Sequence, residues 1–130
     1  MNLATMQQCW SMRKPLSRRG ELYRIPTAGG DPHRSRIVLV VSRQRYIDSL
    51  STTVVCVPVY TAHEGLQTQV AVGPESGLQH DSSLHCDRIL SLPKAELRHY
   101  IGSVSAGKLG EVNRALAIAL DIDPDDLEDL

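Results

Sequence analysis

His85 and Asp87 are the clearest pair of reactive side chains in the sequence. They lie two residues apart in a segment, residues 82–92, that is predicted to form one long strand. Because alternate side chains of a strand project from the same face, the imidazole and the carboxylate are expected to be neighbours. Such a pair can act as general acid and general base near neutral pH, or it can be a structural hydrogen bond. A metal site that adds His80 to the pair is rejected, because no second strong ligand pair accompanies it.

A second group of reactive side chains lies where a loop enters a strand. Asp31, His33, Arg34 and Arg36 all belong to this junction. An arginine can donate two parallel hydrogen bonds to a phosphate, and an imidazole can take up a proton near neutral pH. In the plainer alternative, the aspartate before proline forms a turn and the basic side chains are ordinary surface groups.

Two hydroxyl side chains, Tyr60 and Thr61, follow an apolar run at residues 53–57. Pro58 is expected to end that strand at a sheet edge or bulge, since proline cannot donate to a ladder. Tyr60 could stack on a nucleic-acid base, or it could simply cover the edge of the sheet.

The elements that must position these groups are mostly short strands. Alternating or β-branched apolar runs, separated by Gly- and Pro-rich turns, predict five or six of them. The run at 37–41 is expected to be buried on both faces, and one short helical turn is expected within 43–50. The main predicted strands cover residues 21–25, 37–41, 53–57, 67–72 and 82–92. The fold class is therefore α+β, mainly β: a small, closed or half-closed barrel with helical decoration.

The one convincing helix comes last. Ser105 is a suitable N-cap, and an apolar face follows it at helical spacing. That face is formed by Leu109, Val112, Leu116, Ala119 and Leu120.

Length and composition indicate one globular domain, with 130 residues of which 42% are apolar and 22% charged. No apolar run approaches the ~20 residues of a membrane span, and residues 1–20 lack the apolar stretch of a secretory signal. Three cysteines without C-x-x-C spacing argue against a disulfide framework or a zinc knuckle. A reducing, cytoplasmic setting is expected.

Charge is distributed unevenly along the chain. Residues 1–45 carry nine Lys and Arg side chains against two acids, whereas residues 46–130 carry five against thirteen. The resulting +7 and −8 add to the net charge of −1. This polarity indicates a polyanion-facing surface and an acidic tail, or a solvated surface with both signs.

Four segments, in this order, resemble the MazF/PemK/Kid toxins of bacterial toxin–antitoxin pairs. They are residues 19–23 (RGELY), 36–42 (RIVLVVS), 55–61 (VCVPVYT) and 80–87 (HDSSLHCD). The resemblance implies a toxin domain over 18–121. Outside it, the lack of periodicity and the basic cluster at the start predict a flexible basic arm at 1–17, and the acids at the end predict an acidic tail at 122–130. The resemblance further implies an SH3-like barrel, a homodimer, metal-independent cleavage of single-stranded RNA without any cofactor, and a cognate MazE-like antitoxin.

The resemblance also implies roles for individual residues. The catalytic group is expected to be Arg36, Thr61, His85 and Asp87, and the substrate-binding group to be Asp31, His33, Arg34 and Tyr60. Asp31 stands where family members often carry a glutamate, whereas His33 and Arg34 match no recurrent family position and are chosen for the chemistry of their side chains. Arg36 matches the family's catalytic arginine, and His85 and Asp87 stand where the Kid branch has Arg and Asp.

Two positions depart from the family pattern. Ile37 replaces the proline that usually follows the catalytic arginine, and Tyr60 stands where many members have Thr or Ser. Either Thr61 supplies the hydroxyl from a shifted strand end, or the phenol of Tyr60 does. Two alternatives to an enzyme remain: a toxin that acts by protein binding, as CcdB does, and a degenerate family member that has lost cleavage.

Overall fold

A computed structural model of the chain describes residues 17–26 and 36–127. The strands are β1 Glu21–Ile25, β2 Arg36–Val40, β3 Thr53–Tyr60, β4 Gln69–Val72, β5 Ser82–His85, β6 Leu90–Pro93 and β7 His99–Ser103. The helices are α1 Gln44–Ile47 and α2 Ala106–Ala119. Short 3-10 turns cover Pro74–Ser76, Cys86–Arg88, Lys94–Glu96 and Pro124–Leu127.

All the strands join one antiparallel sheet with the order β4-β5-β3-β2-β1-β7, in which β6 also pairs with β3. The sheet curls into a half-closed barrel with one main C-terminal helix, which confirms the mainly β fold class. The sequence did not predict β7, whose five residues HYIGS lack a clear apolar alternation. Within the described ranges, no helix is long and apolar enough to cross a membrane.

Strand β2 is buried on both faces, as its β-branched run predicts. Val38 and Val40 pack into one apolar cluster with α1 and Leu97, while Leu39 packs into the larger cluster inside the barrel. The central strand therefore separates two cores, and this holds the sheet in place around the site.

Helix α2 covers the larger core. The Ser105 hydroxyl accepts a hydrogen bond from the Lys108 amide at 3.1 Å, which confirms the predicted N-cap. Val112 and Ala115 are buried against the barrel. Leu120 was assigned to this apolar face, but its side chain is 53% exposed because the helix ends at Ala119.

The prediction that β3 ends at Pro58 is wrong. Strand β3 continues to Tyr60, and Pro58 is buried opposite Val38 of β2. On the other edge of β3, β6 pairs up to Cys56 and β5 pairs from Val59 onward. Proline is accommodated because its missing N–H falls where this edge changes partners.

The prediction of one long strand over residues 82–92 is also wrong. Continuing the β5 register along β3 would pair Asp87 with Cys56, but Cys56 pairs with Leu90. The extra residues are accommodated by the 3-10 turn Cys86–Arg88, which separates β5 from β6. Asp87 therefore lies on a turn and not on a strand, and the face-sharing argument for His85 and Asp87 fails.

The two ends of the curled sheet meet where the turn after β4 contacts β7, and this contact is between backbones. Gly77 has a φ of +100°, and a Cβ there would lie 2.6 Å from the Ile101 carbonyl oxygen. A Cβ on Gly102 would collide with the Ser76 carbonyl oxygen. Neither position can carry a side chain without moving the main chain.

Replacing Gly102 by Ala should therefore push the backbones of Ser76 and Gly102 apart. We expect Gly102→Ala to lower the free energy of unfolding by about 1–3 kcal/mol, as overpacking of a tight interior does. Urea unfolding followed by circular dichroism measures the change. Gly107→Ala is the matched control, since nothing lies within 4 Å of a Cβ there. An unfolding midpoint for Gly102→Ala equal to that of the unmodified protein would contradict this account.

The two cysteines in the described segments should be unreactive in the folded protein. Burial raises the pKa of Cys56 to about 12, and burial together with the charge of Asp87 raises the pKa of Cys86 to about 11. Since the thiolate is the nucleophile, we expect neither to react with iodoacetamide at pH 8 until urea unfolds the chain. Peptide mass spectrometry measures each site, and rapid alkylation of Cys86 in the folded state would contradict the prediction.

Candidate functional site

The cavity that contains Arg36, called the main cavity below, has a volume of about 330 Å³. It brings together three residues that the sequence singled out: Arg36, Tyr60 and Thr61. The full lining is Arg24, Arg36, Ile37, Val59, Tyr60, Thr61, Gly77, Leu78, Gln79, His80, Ser82 and Ile101. The cavity thus combines cations, hydroxyls and an imidazole over an apolar base.

The apolar part of the cavity comes from a row of residues across three strands. Arg24 of β1 pairs with Ile37 of β2, which pairs with Val59 of β3. Cross-strand partners present their side chains on the same face of a sheet. Leu22, two residues before Arg24 on that face, is fully buried, whereas Arg24 is exposed. The core therefore ends and the cavity begins at this row.

The electrostatic character of the cavity is positive. Arg24 and Arg36 are both exposed, and the described lining contains no Asp or Glu. Within residues 17–26 and 36–127, neither arginine forms a salt bridge; the ion pair there joins Lys108 and Glu111 at 3.3 Å. An anion that enters this cavity can bind either guanidinium group without displacing a carboxylate of the described residues.

Tyr60 lines this cavity and contacts two residues, His85 and Arg88, that line a smaller one. Its ring meets the His85 ring edge-on, with centroids 4.7 Å apart and planes inclined at 64°. The Arg88 guanidinium carbon lies 5.1 Å from the centre of the same ring. Tyr60 is half-buried in this arrangement, whereas its neighbour Thr61 is exposed.

His85 and Asp87 line the smaller cavity, of about 240 Å³, with Glu64, Leu66, Gln69 and Arg88. His85 is buried, and its Nε2 lies 3.0 Å from the Ala62 carbonyl oxygen. The Thr68 hydroxyl donates a hydrogen bond to Asp87. No hydrogen bond joins His85 to Asp87 in the described part of the chain, so the structural pair considered from the sequence is not formed.

A third cavity, of about 340 Å³, adjoins the main one because Thr61 and Ser82 line both. It contains Glu75 and Asp81 on one side and Lys108 on the other.

Some predicted site residues lie outside the described residues, namely Asp31, His33 and Arg34. Among the basic side chains that line the main cavity, Arg24 and His80 were not predicted as part of the site. The sequence signal for Arg24 was its place in a strand: it follows Leu22 on the inward face, where an apolar residue is the usual choice. In the described segments, no group of three or more His, Cys, Asp or Glu side chains is placed to hold a metal ion.

Comparison with known proteins gives one family. The family model described as "PemK-like, MazF-like toxin of type II toxin-antitoxin system" matches residues 18–120. An endoribonuclease of Mycobacterium bovis, MazF1, is 34% identical over 84% of this chain and 95% of its own length. A protein of Mycolicibacterium smegmatis named probable endoribonuclease MazF is 30% identical over 81% of this chain and 97% of its own.

Solved structures agree in fold. A mycobacterial endoribonuclease in complex with its cognate antitoxin superposes with a TM-score of 0.70 at 32% identity, covering 84% of this chain and 97% of that one. A MazE–MazF structure from Deinococcus radiodurans has a TM-score of 0.68 at 22% identity, covering 85% and 100%. The second likeness is one of fold alone.

Proposed function

Because the chain belongs to the PemK-like, MazF-like family of toxins from type II toxin–antitoxin systems, we propose that it is a toxin endoribonuclease that cuts single-stranded RNA at short sequence motifs. The cut uses the 2′-hydroxyl of the RNA and no metal ion, takes place in the cytoplasm, and is blocked by a cognate MazE-like antitoxin. The observation that carries this proposal is the cavity in which Arg36 lies with three hydroxyl side chains and without a described carboxylate.

Arg36 is the group proposed to stabilise the reacting phosphate. Attack of the 2′-oxygen places additional negative charge on the phosphate oxygens in the transition state. A fixed guanidinium is already oriented and charged, so it stabilises that charge with little reorganisation. DNA lacks the 2′-hydroxyl and could bind without being cut.

Proton transfer is proposed for His85 and Asp87. One group must take the 2′-hydroxyl proton and another must protonate the leaving 5′-oxygen. The Ala62 carbonyl can only accept, so the proton of His85 resides on Nε2 and proton exchange with RNA falls to Nδ1. The ring of His85 contacts the ring of Tyr60, which lines the cavity of Arg36, and His85 and Asp87 line the neighbouring cavity.

The test is incubation with a defined RNA, with mapping of the cut sites and of the end groups. We expect a 2′,3′-cyclic phosphate or a 3′-phosphate in the presence of EDTA. Arg36→Ala should lower the rate about 10²–10³-fold at unchanged circular dichroism, as the loss of one charge-directed donor does. Arg45→Ala, at an exposed position of α1, is the matched control for charge.

Activity that disappears with EDTA and returns with Mg²⁺ would contradict metal independence. A normal rate for Arg36→Ala would mean that the reacting phosphate lies elsewhere. If RNA is not cut but the protein still binds an antitoxin, the chain is the degenerate member considered above. In the same assay, Thr61→Ala and Tyr60→Phe decide which hydroxyl contributes, since the phenylalanine retains the ring contact with His85.

The proposal includes a homodimer. Its support is the family, together with large apolar side chains that the single chain leaves exposed, among them Leu50 and Tyr100. We expect light scattering at micromolar concentration to give twice the mass of the 14.3 kDa chain. A monomer mass throughout that range would contradict it.

A further inference from the structure

Arg24 is a charged residue on a face of the sheet whose neighbouring side chains are apolar. On the same face of β1, Leu22 is completely buried, and the cross-strand neighbours on β2 and β3 are Ile37 and Val59. A charge beside such a surface is costly unless water or an anion meets it. Arg24 does meet the open cavity, and no carboxylate in the described lining neutralises it.

Arg24 is also close to Arg36. Arg24 pairs with Ile37 and Arg36 pairs with Ile25, so the two arginines are one step apart on adjacent strands and their side chains leave the sheet on opposite faces. Arg36 is the first residue of β2, and both side chains line the same cavity. From strand geometry their Cα atoms are about 6 Å apart. Two like charges at one cavity repel each other, and this repulsion is relieved when anions bind between or beside them.

We propose that Arg24 binds a second phosphate of the RNA, next to the one that Arg36 holds, while the apolar surface of Ile37 and Val59 supports the nucleotide between them. The inference rests on the proposed function. Arg24 is then a substrate-positioning residue: it contacts a phosphate that does not react, so it contributes equally to the bound substrate and to the transition state. Interactions of that kind change KM and leave kcat unchanged.

The kinetic test compares Arg24→Gln with the unmodified protein on a short RNA that contains one mapped cut site. We expect KM to rise about 10-fold to 100-fold, as the loss of a charge-assisted hydrogen bond does, with kcat changed less than about twofold. Arg24→Lys should recover part of the loss. An unchanged KM, or a fall in kcat like that of Arg36→Ala, would overturn the proposal.

The position of the contact is tested with RNAs that carry one neutral methylphosphonate at each phosphate in turn. In the unmodified protein, substitution at the phosphate bound by Arg24 should raise KM by a similar factor. In Arg24→Gln the same substitution should have no further effect. Equal sensitivity of both proteins at every phosphate would show that Arg24 contacts none of them.

A binding measurement keeps the inference separate from the cleavage reaction. RNA with 2′-O-methyl groups cannot be cut, and its affinity can be followed by fluorescence anisotropy at several salt concentrations. One lost phosphate contact should reduce the slope of log affinity against log salt by about 0.7 for a single strand. Arg45→Gln controls for net charge and should leave the slope unchanged.

If the unmodified protein cuts no RNA, the proposed function fails, while the salt slope still decides whether Arg24 binds phosphate. If it cuts RNA and the slope of Arg24→Gln equals that of Arg45→Gln, only the inference about Arg24 fails.

Discussion

The absence of an amide hydrogen at Pro58 is the constraint on which the site depends. Strand β3 lies in the middle of the sheet, and its edge toward β5 and β6 cannot form a continuous ladder past a proline. The edge is divided between β6 and β5, with the 3-10 turn Cys86–Arg88 between them. Asp87 lies in this turn and not on a strand, and β3 continues past Pro58 to Tyr60, which lines the main cavity.

The chemistry of the main cavity depends on two arginines that form no ion pair with any described residue. Most exposed arginines contribute little to stability, whether paired or not. Here the cations lie beside an apolar surface that removes water from one side, where the interaction with an anion is stronger than in bulk solvent. In the proposed reaction, the same arrangement holds the substrate and stabilises the charge that develops on it.

Sequence reasoning predicted the elements whose signals are local. The runs that became β1, β2 and β4 alternate or are β-branched, and the cap of α2 needs only Ser105 and the turn that follows. It failed where the structure of one segment depends on a distant one. The predicted strand over residues 82–92 is interrupted where its partner strand contains Pro58. Sequence reasoning also missed Arg24, because the alternation of residues in a strand does not show which inward-facing position is still buried and which is already exposed. Arg36, Tyr60 and Thr61 line one cavity, whereas His85 and Asp87 line another.

The seam between Ser76–Gly77 and Ile101–Gly102 has a consequence for selectivity. Side chains can rotate to widen an opening, but two backbones in contact cannot, so this wall of the main cavity has a fixed position. An opening with a rigid wall admits a flexible nucleic-acid strand more easily than a stiff one. An unpaired strand can bend and turn one nucleotide inward, whereas a base-paired helix resists the unstacking that entry would need. For the proposed substrate, the preference for single strands would then come from the rigidity of this cavity wall and would not require a base-specific contact.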